Sequence, residues 1–215
     1  MMASYARREV AATVVLGAVA TAVATYYGGA WGLIPAAATL GLLLFYRDPA
    51  RRPPTGDNLV LAAADGKIVE IQRNAPGPGG QPIVRIMTFL SVFDVHVNRS
   101  PCAGEVTEVT YRPGEFLNAL NNAADQRNEA NALTLCPPAS LPGPILVRQI
   151  AGVLARRIVC AARVGDRLAA GERFGMIKLG SRTEVCLPED PRWEIRVRLG
   201  EHVRGGLTVL ARWSG

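Results

Sequence analysis

Two apolar stretches near the N-terminus constrain the fold of this chain more than any other feature. Residues 10 to 27 and residues 30 to 46 contain no charged side chain, and Gly28 and Gly29 separate them. Each stretch is close to the length that a helix needs to cross the hydrocarbon core of a bilayer. The outer flanks carry the arginines Arg7, Arg8, Arg47, Arg51 and Arg52, whereas the connection carries none. Because arginine marks the cytoplasmic side of a membrane, the pattern predicts a helical hairpin with both ends in the cytoplasm.

Three other interpretations compete with a spanning hairpin. A cleaved signal peptide is disfavoured, because there are two apolar stretches and charge returns only after the second. Pro35 and the many small residues leave open a re-entrant or interfacial hairpin. A buried hairpin in a soluble core is less favoured, because a core of this size does not need so long an uncharged segment.

The remainder of the chain predicts one β-rich domain, which divides the chain into residues 1–54 and 55–215. Residues 58–71 predict two strands around a turn at Asp65–Gly66. Alternating apolar residues in 82–101 and 104–116 predict further strands, whereas residues 117–133 are less strand-like and predict a short helix or an ordered loop. The predicted fold class is mainly β (α+β), with a hydrophobic helical hairpin in front of the β domain.

A weak internal repeat refines this prediction. The segment from Val164 to Glu172 resembles the segment from Leu199 to Leu207, with a shared pattern of glycine, acidic residue, apolar residue and glycine. Such turns are typical of barrel-sandwich-hybrid domains, the architecture of biotin and lipoyl carriers. The repeat therefore predicts a pseudo-symmetric, barrel-sandwich-hybrid-like β domain, with two unrelated glycine-rich hairpins as the alternative.

The charge of the chain indicates an anionic partner. The net charge is +6, and arginine supplies all but two of the 24 basic side chains, the exceptions being Lys67 and Lys178. The guanidinium group suits phosphate recognition, although a compositional bias toward alanine, arginine and glycine explains part of the count. Because the sequence has no aromatic-rich basic stripe and no nucleic-acid motif, anionic lipid is favoured over nucleic acid.

The four cysteines argue against a metal or redox site. Cys102, Cys136, Cys160 and Cys186 lie far apart and lack CxxC spacing. We therefore predict no metal site, and reduced thiols in a domain that faces the cytosol.

The segment that focuses the question of function is RFGMIKLGSRTEVCLP, residues 173–188. Its apolar pattern predicts a strand, a tight turn at Gly180–Ser181, and a second strand that ends at Pro188. Taken alone, a Gly-Ser step of this kind is an ordinary turn.

Four segments together resemble the phosphatidylserine decarboxylase family in its short prokaryotic form. In chain order they are AAADGKIVEI with Asp65, FLSVFDVHVNRSPCAGEV from Phe89, VRQIAGVLARRIVC from Val147, and FGMIKLGSRTEVCLP from Phe174. Each motif alone is modest, whereas their order and spacing are specific. The resemblance covers nearly all of residues 47–215, and the apolar N-terminus also fits it.

The resemblance implies a zymogen that cuts itself between Gly180 and Ser181. Ser181 Oγ would attack the Gly180 carbonyl, and β-elimination would release residues 1–180 as the large chain. The new N-terminus of residues 181–215 would become a pyruvoyl group, a covalent cofactor derived from Ser181. This group would form a Schiff base with phosphatidylserine, which loses carbon dioxide and yields phosphatidylethanolamine.

The resemblance also implies roles for three other residues. His96 is the candidate for proton transfer, because imidazole titrates near neutral pH, whereas His202 is more simply an exposed loop residue. Asp65 is the candidate carboxylate that orients a base near Ser181. Longer family members carry a second histidine where this chain has Arg99, which cannot act as a base and is instead a candidate ligand for the lipid phosphate or carboxylate. A packed strand histidine and a plain Asp-Gly turn are the structural alternatives for His96 and Asp65.

The implied partners are a phospholipid substrate, the membrane, and the two cleaved chains bound to each other as a heterodimer, with higher oligomers left open. The implied location is the cell membrane, with the catalytic domain on its cytoplasmic face. A related serine phospholipid such as archaetidylserine is an alternative substrate. A non-catalytic, membrane-anchored β scaffold is an alternative function. A serine hydrolase that uses Ser181, His96 and Asp65 is disfavoured, because the G-x-S-x-G elbow is missing.

Overall fold

The computed structural model describes residues 2–118, 127–152, 157–178 and 181–215. The chain divides into two compact units, Met1–Ala50 and Arg51–Gly215. The predicted turn residue Gly180 lies outside the described residues, as does part of the predicted loop within 117–133.

The first unit is a helical hairpin. A 3₁₀-helix (Ser4–Ala6) precedes helix α1 (Arg7–Gly28), and a second 3₁₀-helix (Gly29–Gly32) leads into helix α2 (Leu33–Phe45). The two helices approach closely at Gly17, where an added Cβ would lie only 2.2 Å from Thr39 Oγ1. This arrangement confirms the predicted helical hairpin.

The two helices differ in reach. At 1.5 Å per residue, the 22 residues of α1 span about 33 Å, whereas the 13 residues of α2 span about 20 Å, less than a typical hydrocarbon core. The helical segment from Ser4 to Phe45 is long and apolar enough to cross a membrane, and an 18-residue window within it has a mean hydropathy of 1.7. Its apolar side chains are mostly exposed, which a soluble core helix does not show.

The regular secondary structure described in the second unit is almost entirely strand, apart from a short 3₁₀-helix (Pro78–Gly80). In chain order its described strands are β1 (Leu59–Leu61), β2 (Gly66–Pro76), β3 (Pro82–Leu90), β4 (Val97–Arg99), β5 (Gly104–Arg112), β6 (Ala130–Cys136), β7 (Ile145–Ile150), β8 (Ile158–Cys160), β9 (Arg167–Leu168), β10 (Arg173–Ile177), β11 (Ser181–Pro188), β12 (Trp193–Ile195), β13 (His202–Val203) and β14 (Val209–Trp213). The mainly β prediction is confirmed.

The strands form one large sheet and two small ones. The eight-stranded sheet has the order β13-β2-β3-β11-β7-β6-β5-β9 and curls into half a barrel. The described three-stranded sheets have the orders β1-β14-β12 and β4-β10-β8, and the paired strands are antiparallel throughout. Alternate residues of the large sheet face the core, so that Val185 and Leu187 of β11 pack with Phe174, Trp193 and other buried apolar side chains.

The internal repeat is visible as a pseudo-symmetry of the fold. Gly165 N donates to Val106 O, and the equivalent Gly200 N donates to Ile68 O, both at 2.8 Å. Both glycines have positive φ, 92° and 84°, which only glycine adopts without strain. The two copies therefore dock in the same way on β5 and on β2, which supports the predicted pseudo-symmetric scaffold.

Two predicted hairpins are wrong in their pairing, although their strands are present. The strands around Asp65 do not pair with each other, because β1 pairs with β14. Gly66 instead permits close strand packing, since a Cβ there would lie 2.1 Å from Phe89 O. Likewise β10 pairs with β4 and β8, whereas β11 pairs with β3 and β7. The less strand-like segment also ends in a strand, because β6 begins at Ala130.

Candidate functional site

Ser181 is the first residue of β11, a central strand of the large sheet. It pairs with Leu90, the last residue of β3. Its side chain faces the interior, because it alternates with Thr183 and the core residue Val185, and the residue is 0% exposed. Its Oγ is buried and has no hydrogen-bond partner among the described residues. A buried hydroxyl without a partner is costly, which makes it a candidate reactive group.

A buried polar cluster surrounds the same face of β11. Gln149 of β7 pairs with Thr183, and Asn131 of β6 pairs with Gln149. Asn131 Nδ2 donates to Gln149 Oε1 at 2.9 Å, and Gln149 Nε2 donates to Asn98 Oδ1 at 2.7 Å. We call Ser181, Thr183, Gln149, Asn131 and Asn98 the inner polar cluster.

The inner polar cluster keeps unused hydrogen-bonding capacity. In the described parts of the chain, Asn98 Nδ2 and Thr183 Oγ1 join Ser181 Oγ as buried polar atoms without a partner. Native proteins leave few such atoms, and several together indicate a place where a further polar group is received. The cluster could not be predicted from sequence, because its members lie on three strands of the large sheet and on β4 of a second sheet, which come together only in the folded chain.

His96 is fully buried next to the end of β10. Ile177 N donates to His96 O at 3.2 Å, which places the histidine beside the strand that leads toward Ser181. The ring atom Nδ1 lies 2.9 Å from Asp94 O. Because a carbonyl oxygen only accepts hydrogen bonds, Nδ1 must carry the proton, and neutral His96 then presents the lone pair of Nε2 as a base.

Asp94 and His202 form a pair that sequence analysis did not predict. Asp94 Oδ2 accepts hydrogen bonds from Ser91 N at 2.8 Å and from Ser91 Oγ at 2.7 Å, while Oδ1 lies 2.9 Å from His202 Nε2. His202 is exposed, as expected, but it is a partner of the buried Asp94. The pair therefore fixes the turn whose carbonyl holds the His96 ring.

Asp65 is engaged by a different partner. Its carboxylate binds the Arg51 guanidinium with both oxygens, one of them at 2.7 Å, and Oδ1 also accepts a hydrogen bond from Gly205 N at 2.8 Å. Neither Asp65 nor His96 hydrogen-bonds Ser181 Oγ in the described residues. The structure therefore does not bring the three predicted residues into one hydrogen-bonded array.

Arg99 lies in β4, and its side chain is directed to the turn around Gly171. Its Nη1 donates to Gly171 O at 3.0 Å, and the residue is buried. Arg99 also lines a polar cavity of 410 Å³ together with Arg51, Glu172 and Arg173. Three arginines around one cavity suit an anion, but Ser181 does not line this cavity.

The face of β11 opposite the inner polar cluster carries buried charges. Arg182 Nη2 lies 3.1 Å from Glu184 Oε1, and Arg148 Nη1 lies 2.7 Å from Glu184 Oε2. Burial lowers the pKa of the Arg182 guanidinium, and the negative charge of Glu184 opposes that shift. The ion pair with Glu184 fixes Arg182, the residue that follows Ser181, on the opposite face of the sheet.

Comparison with known proteins identifies the family to which the chain belongs. The family model of phosphatidylserine decarboxylase matches residues 40–211. A phosphatidylserine decarboxylase proenzyme of Gluconacetobacter diazotrophicus is 49% identical over 174 residues, which cover 79% of this chain and 76% of that protein. One from Gluconobacter oxydans has the same identity and coverage. One from Granulibacter bethesdensis is 45% identical over 201 residues, which cover 91% of this chain and 81% of that protein. This chain therefore belongs to the phosphatidylserine decarboxylase family.

Proposed function

We propose that this chain is a proenzyme that matures by cutting itself at Gly180–Ser181 and then decarboxylates phosphatidylserine to phosphatidylethanolamine. The family match and the names of its relatives support the substrate and the reaction. The observation that carries the proposal is the buried Ser181 Oγ, which lacks a described hydrogen-bond partner at the start of a central strand.

The self-cleavage step uses the chain's own atoms. Ser181 Oγ attacks the carbonyl carbon of residue 180, and the amide bond becomes an ester as the Ser181 nitrogen leaves and takes up a proton. Loss of a Cα proton from residue 181 then breaks the Cβ–O bond, which frees residues 1–180 as a carboxylate. The remaining dehydroalanine hydrolyses with release of ammonia and leaves a pyruvoyl group on residues 181–215. Serine is required, because it supplies both the nucleophile and the three carbons of pyruvate.

The residues around position 181 fit such a group. Asn98 Nδ2 and Thr183 Oγ1 are buried donors without a described partner, and a carbonyl or carboxylate oxygen accepts hydrogen bonds from both kinds of donor. The pyruvoyl group, when formed, would supply an electrophilic carbonyl for condensation with the substrate amine and an acceptor for the electron pair that departing carbon dioxide leaves on the substrate carbon. The protein supplies burial, which keeps water away from this carbonyl.

His96 is proposed to move the proton. Its fixed Nδ1–H leaves Nε2 to take a proton during self-cleavage and to return one to the substrate carbon after decarboxylation. Asp94 and His202 act as positioning residues, because they hold the turn that orients the ring. Since His202 belongs to residues 181–215, this contact also joins the two chains after cleavage as a heterodimer.

Asp65 and Arg99 are proposed to serve the same site from a greater distance. The ion pair of Asp65 with Arg51 fixes the loop around Gly205, and Asp65 orients the site through that loop. Arg99 supplies positive charge for the phosphate or carboxylate of the headgroup. The headgroup chemistry is shared by archaetidylserine, which is the alternative substrate.

The proposed location is the cell membrane. The apolar segment from Ser4 to Phe45 supports attachment to a bilayer, and its flanking arginines support a cytoplasmic position for the catalytic unit.

The test is release of carbon dioxide from phosphatidylserine labelled in the serine carboxyl group, presented in detergent micelles. We expect release by the wild-type protein and none by Ser181→Ala. Ser214→Ala is the matched control, because Ser214 is an exposed serine in the same C-terminal segment, and it should behave like the wild type. Equal release by the wild-type and Ser181→Ala proteins would contradict the proposal, as would no release by the wild type.

A further inference from the structure

The exposed apolar side chains of the second unit are concentrated toward one edge of the large sheet. This edge, which we call the site edge, is formed by Arg112, Ala130, Ile150, Ser181, Leu90 and Gly66, at the ends of adjacent strands. Among the described residues, the large apolar side chains exposed on or near it are Val92, Phe93, Tyr111, Phe116 and Leu199, which we call the rim. An exposed apolar surface beside a functional site marks an interaction surface.

The two most exposed rim residues lie in loops that are joined to each other. Phe93 is 83% exposed in the loop that follows β3, and Leu199 is 65% exposed in the turn before β13. Asp94 is the neighbour of Phe93, and His202 follows Leu199 by three residues. The hydrogen bond between Asp94 and His202 therefore connects the loop and the turn. The same loop leads directly to His96. The most exposed part of the rim is thus held in place next to the proposed base.

The other rim residues lie across the sheet. Tyr111 is the penultimate residue of β5, and Phe116 follows that strand. The Tyr111 hydroxyl donates to Glu129 at 3.0 Å, which leaves the ring exposed above a fixed polar end. Such an arrangement, with an apolar body and a bonded polar tip, is typical of side chains at a bilayer interface.

The charge near the rim is predominantly basic. Both lysines of the chain are here, Lys67 at the start of β2 and Lys178 just after β10. Exposed arginines follow at Arg157, Arg198 and Arg204. Among the described residues, exposed acids beside them include Glu115, which pairs with Arg127, and Glu201, whose carboxylate accepts a hydrogen bond from Arg198 N. Net positive charge around exposed apolar side chains complements an anionic lipid surface.

We propose that the rim is the surface through which the catalytic unit docks on an anionic bilayer, with Phe93 and Leu199 entering the interfacial layer. This inference deepens the proposed function, on which it rests. Docking here brings the headgroup of a membrane lipid to the edge at which Ser181 lies while the acyl chains stay in the bilayer. A protein partner that covers the rim is the alternative that the test must exclude.

The first experiment compares two forms of the same headgroup. Full-length protein is assayed on phosphatidylserine in phosphatidylglycerol vesicles and on dihexanoyl phosphatidylserine below its micelle concentration. We expect the double variant Phe93→Asp/Leu199→Asp to raise KM on vesicles about tenfold, or about 1.4 kcal/mol, with unchanged turnover of the monomeric lipid. Phe93→Trp should retain the wild-type KM, because tryptophan also partitions into the interface.

Val164 offers a matched control. It occupies the position of Leu199 in the other copy of the repeat, is 63% exposed, and lies beside Val106, several residues along β5 from the site edge. Val164→Asp should leave both substrates unaffected. An unchanged KM in the rim double variant would overturn the proposal, and so would an equal loss of activity on both substrates.

A second measurement tests membrane docking of the rim without an assay of decarboxylation. Hydrogen exchange of full-length Ser181→Ala is measured in phosphatidylglycerol vesicles and in detergent. Vesicles should slow exchange in residues 91–94 and 198–201 but not in residues 163–166. Equal exchange in the two settings would overturn the rim proposal, even if carbon dioxide release supports the proposed function. Conversely, a wild-type protein that releases no carbon dioxide from either lipid contradicts the function, while the exchange result decides the rim.

Discussion

The inner polar cluster makes a sharp prediction about stability. Gln149→Leu keeps nearly the same volume, but it removes the acceptor for Asn131 Nδ2 and the donor to Asn98 Oδ1. These residues are at most 3% exposed, so that water cannot replace the lost partners. Each buried group left without a partner costs about 1–3 kcal/mol, and we expect a total loss of about 2–6 kcal/mol. This is a large fraction of a typical unfolding free energy of about 5–15 kcal/mol.

The assay is urea unfolding of the full-length protein in detergent, followed by tryptophan fluorescence. Thr107→Val is the control, because it removes a hydrogen bond on the exposed side of the same sheet and should change the unfolding free energy by less than about 0.5 kcal/mol. The double variant Gln149→Leu/Asn131→Leu should lose less than the sum of its single variants, because the two single variants break the same bond. Additive losses, or a Gln149→Leu cost equal to that of the control, would show that these hydrogen bonds do not stabilise the fold.

Two further predictions concern the site and the thiols. His202→Ala should lower kcat for decarboxylation with little change in KM. His202→Gln should restore much of the lost kcat, because the Gln amide can still donate to Asp94. A rise in KM with unchanged kcat would contradict the positioning role. Burial raises the pKa of the Cys102 and Cys186 thiols from 9.0 to about 12, so that the native state keeps protons that the unfolded chain loses. The unfolding free energy should therefore be steady below about pH 9 and fall as the pH rises toward 12, and replacing both cysteines with alanine should flatten that fall.

The elements of the fold could be predicted from sequence because their signals are local. The uncharged residues 10–46 fix the helical hairpin, and alternation of apolar residues fixes most strands of the second unit. The pairing of those strands could not be predicted, because it is set by contacts between distant segments. The three residues of β1 pair with β14 at the other end of the chain, and no local pattern around Asp65 reveals this.

The site shows the same division. Ser181 and His96 were predicted from sequence motifs that resemble those of the family, and the structure places both in the buried interior of the second unit. Asp94 and His202 were missed as a pair because they lie 108 residues apart, although an aspartate two residues before a candidate base is a usable signal. Asp65 was predicted to act next to the serine, whereas its described partners are Arg51 and Gly205.

The most direct test of the account is the intact mass of the denatured protein, with wild type beside Ser181→Ala. We expect the wild type to separate into residues 1–180 and residues 181–215, and the smaller fragment to have the mass of a pyruvoyl terminus and to resist Edman sequencing. The Ser181→Ala chain should remain whole. A wild-type chain that stays intact after prolonged incubation, or a smaller fragment with a free serine at its N-terminus, would contradict the claim that Ser181 becomes the cofactor.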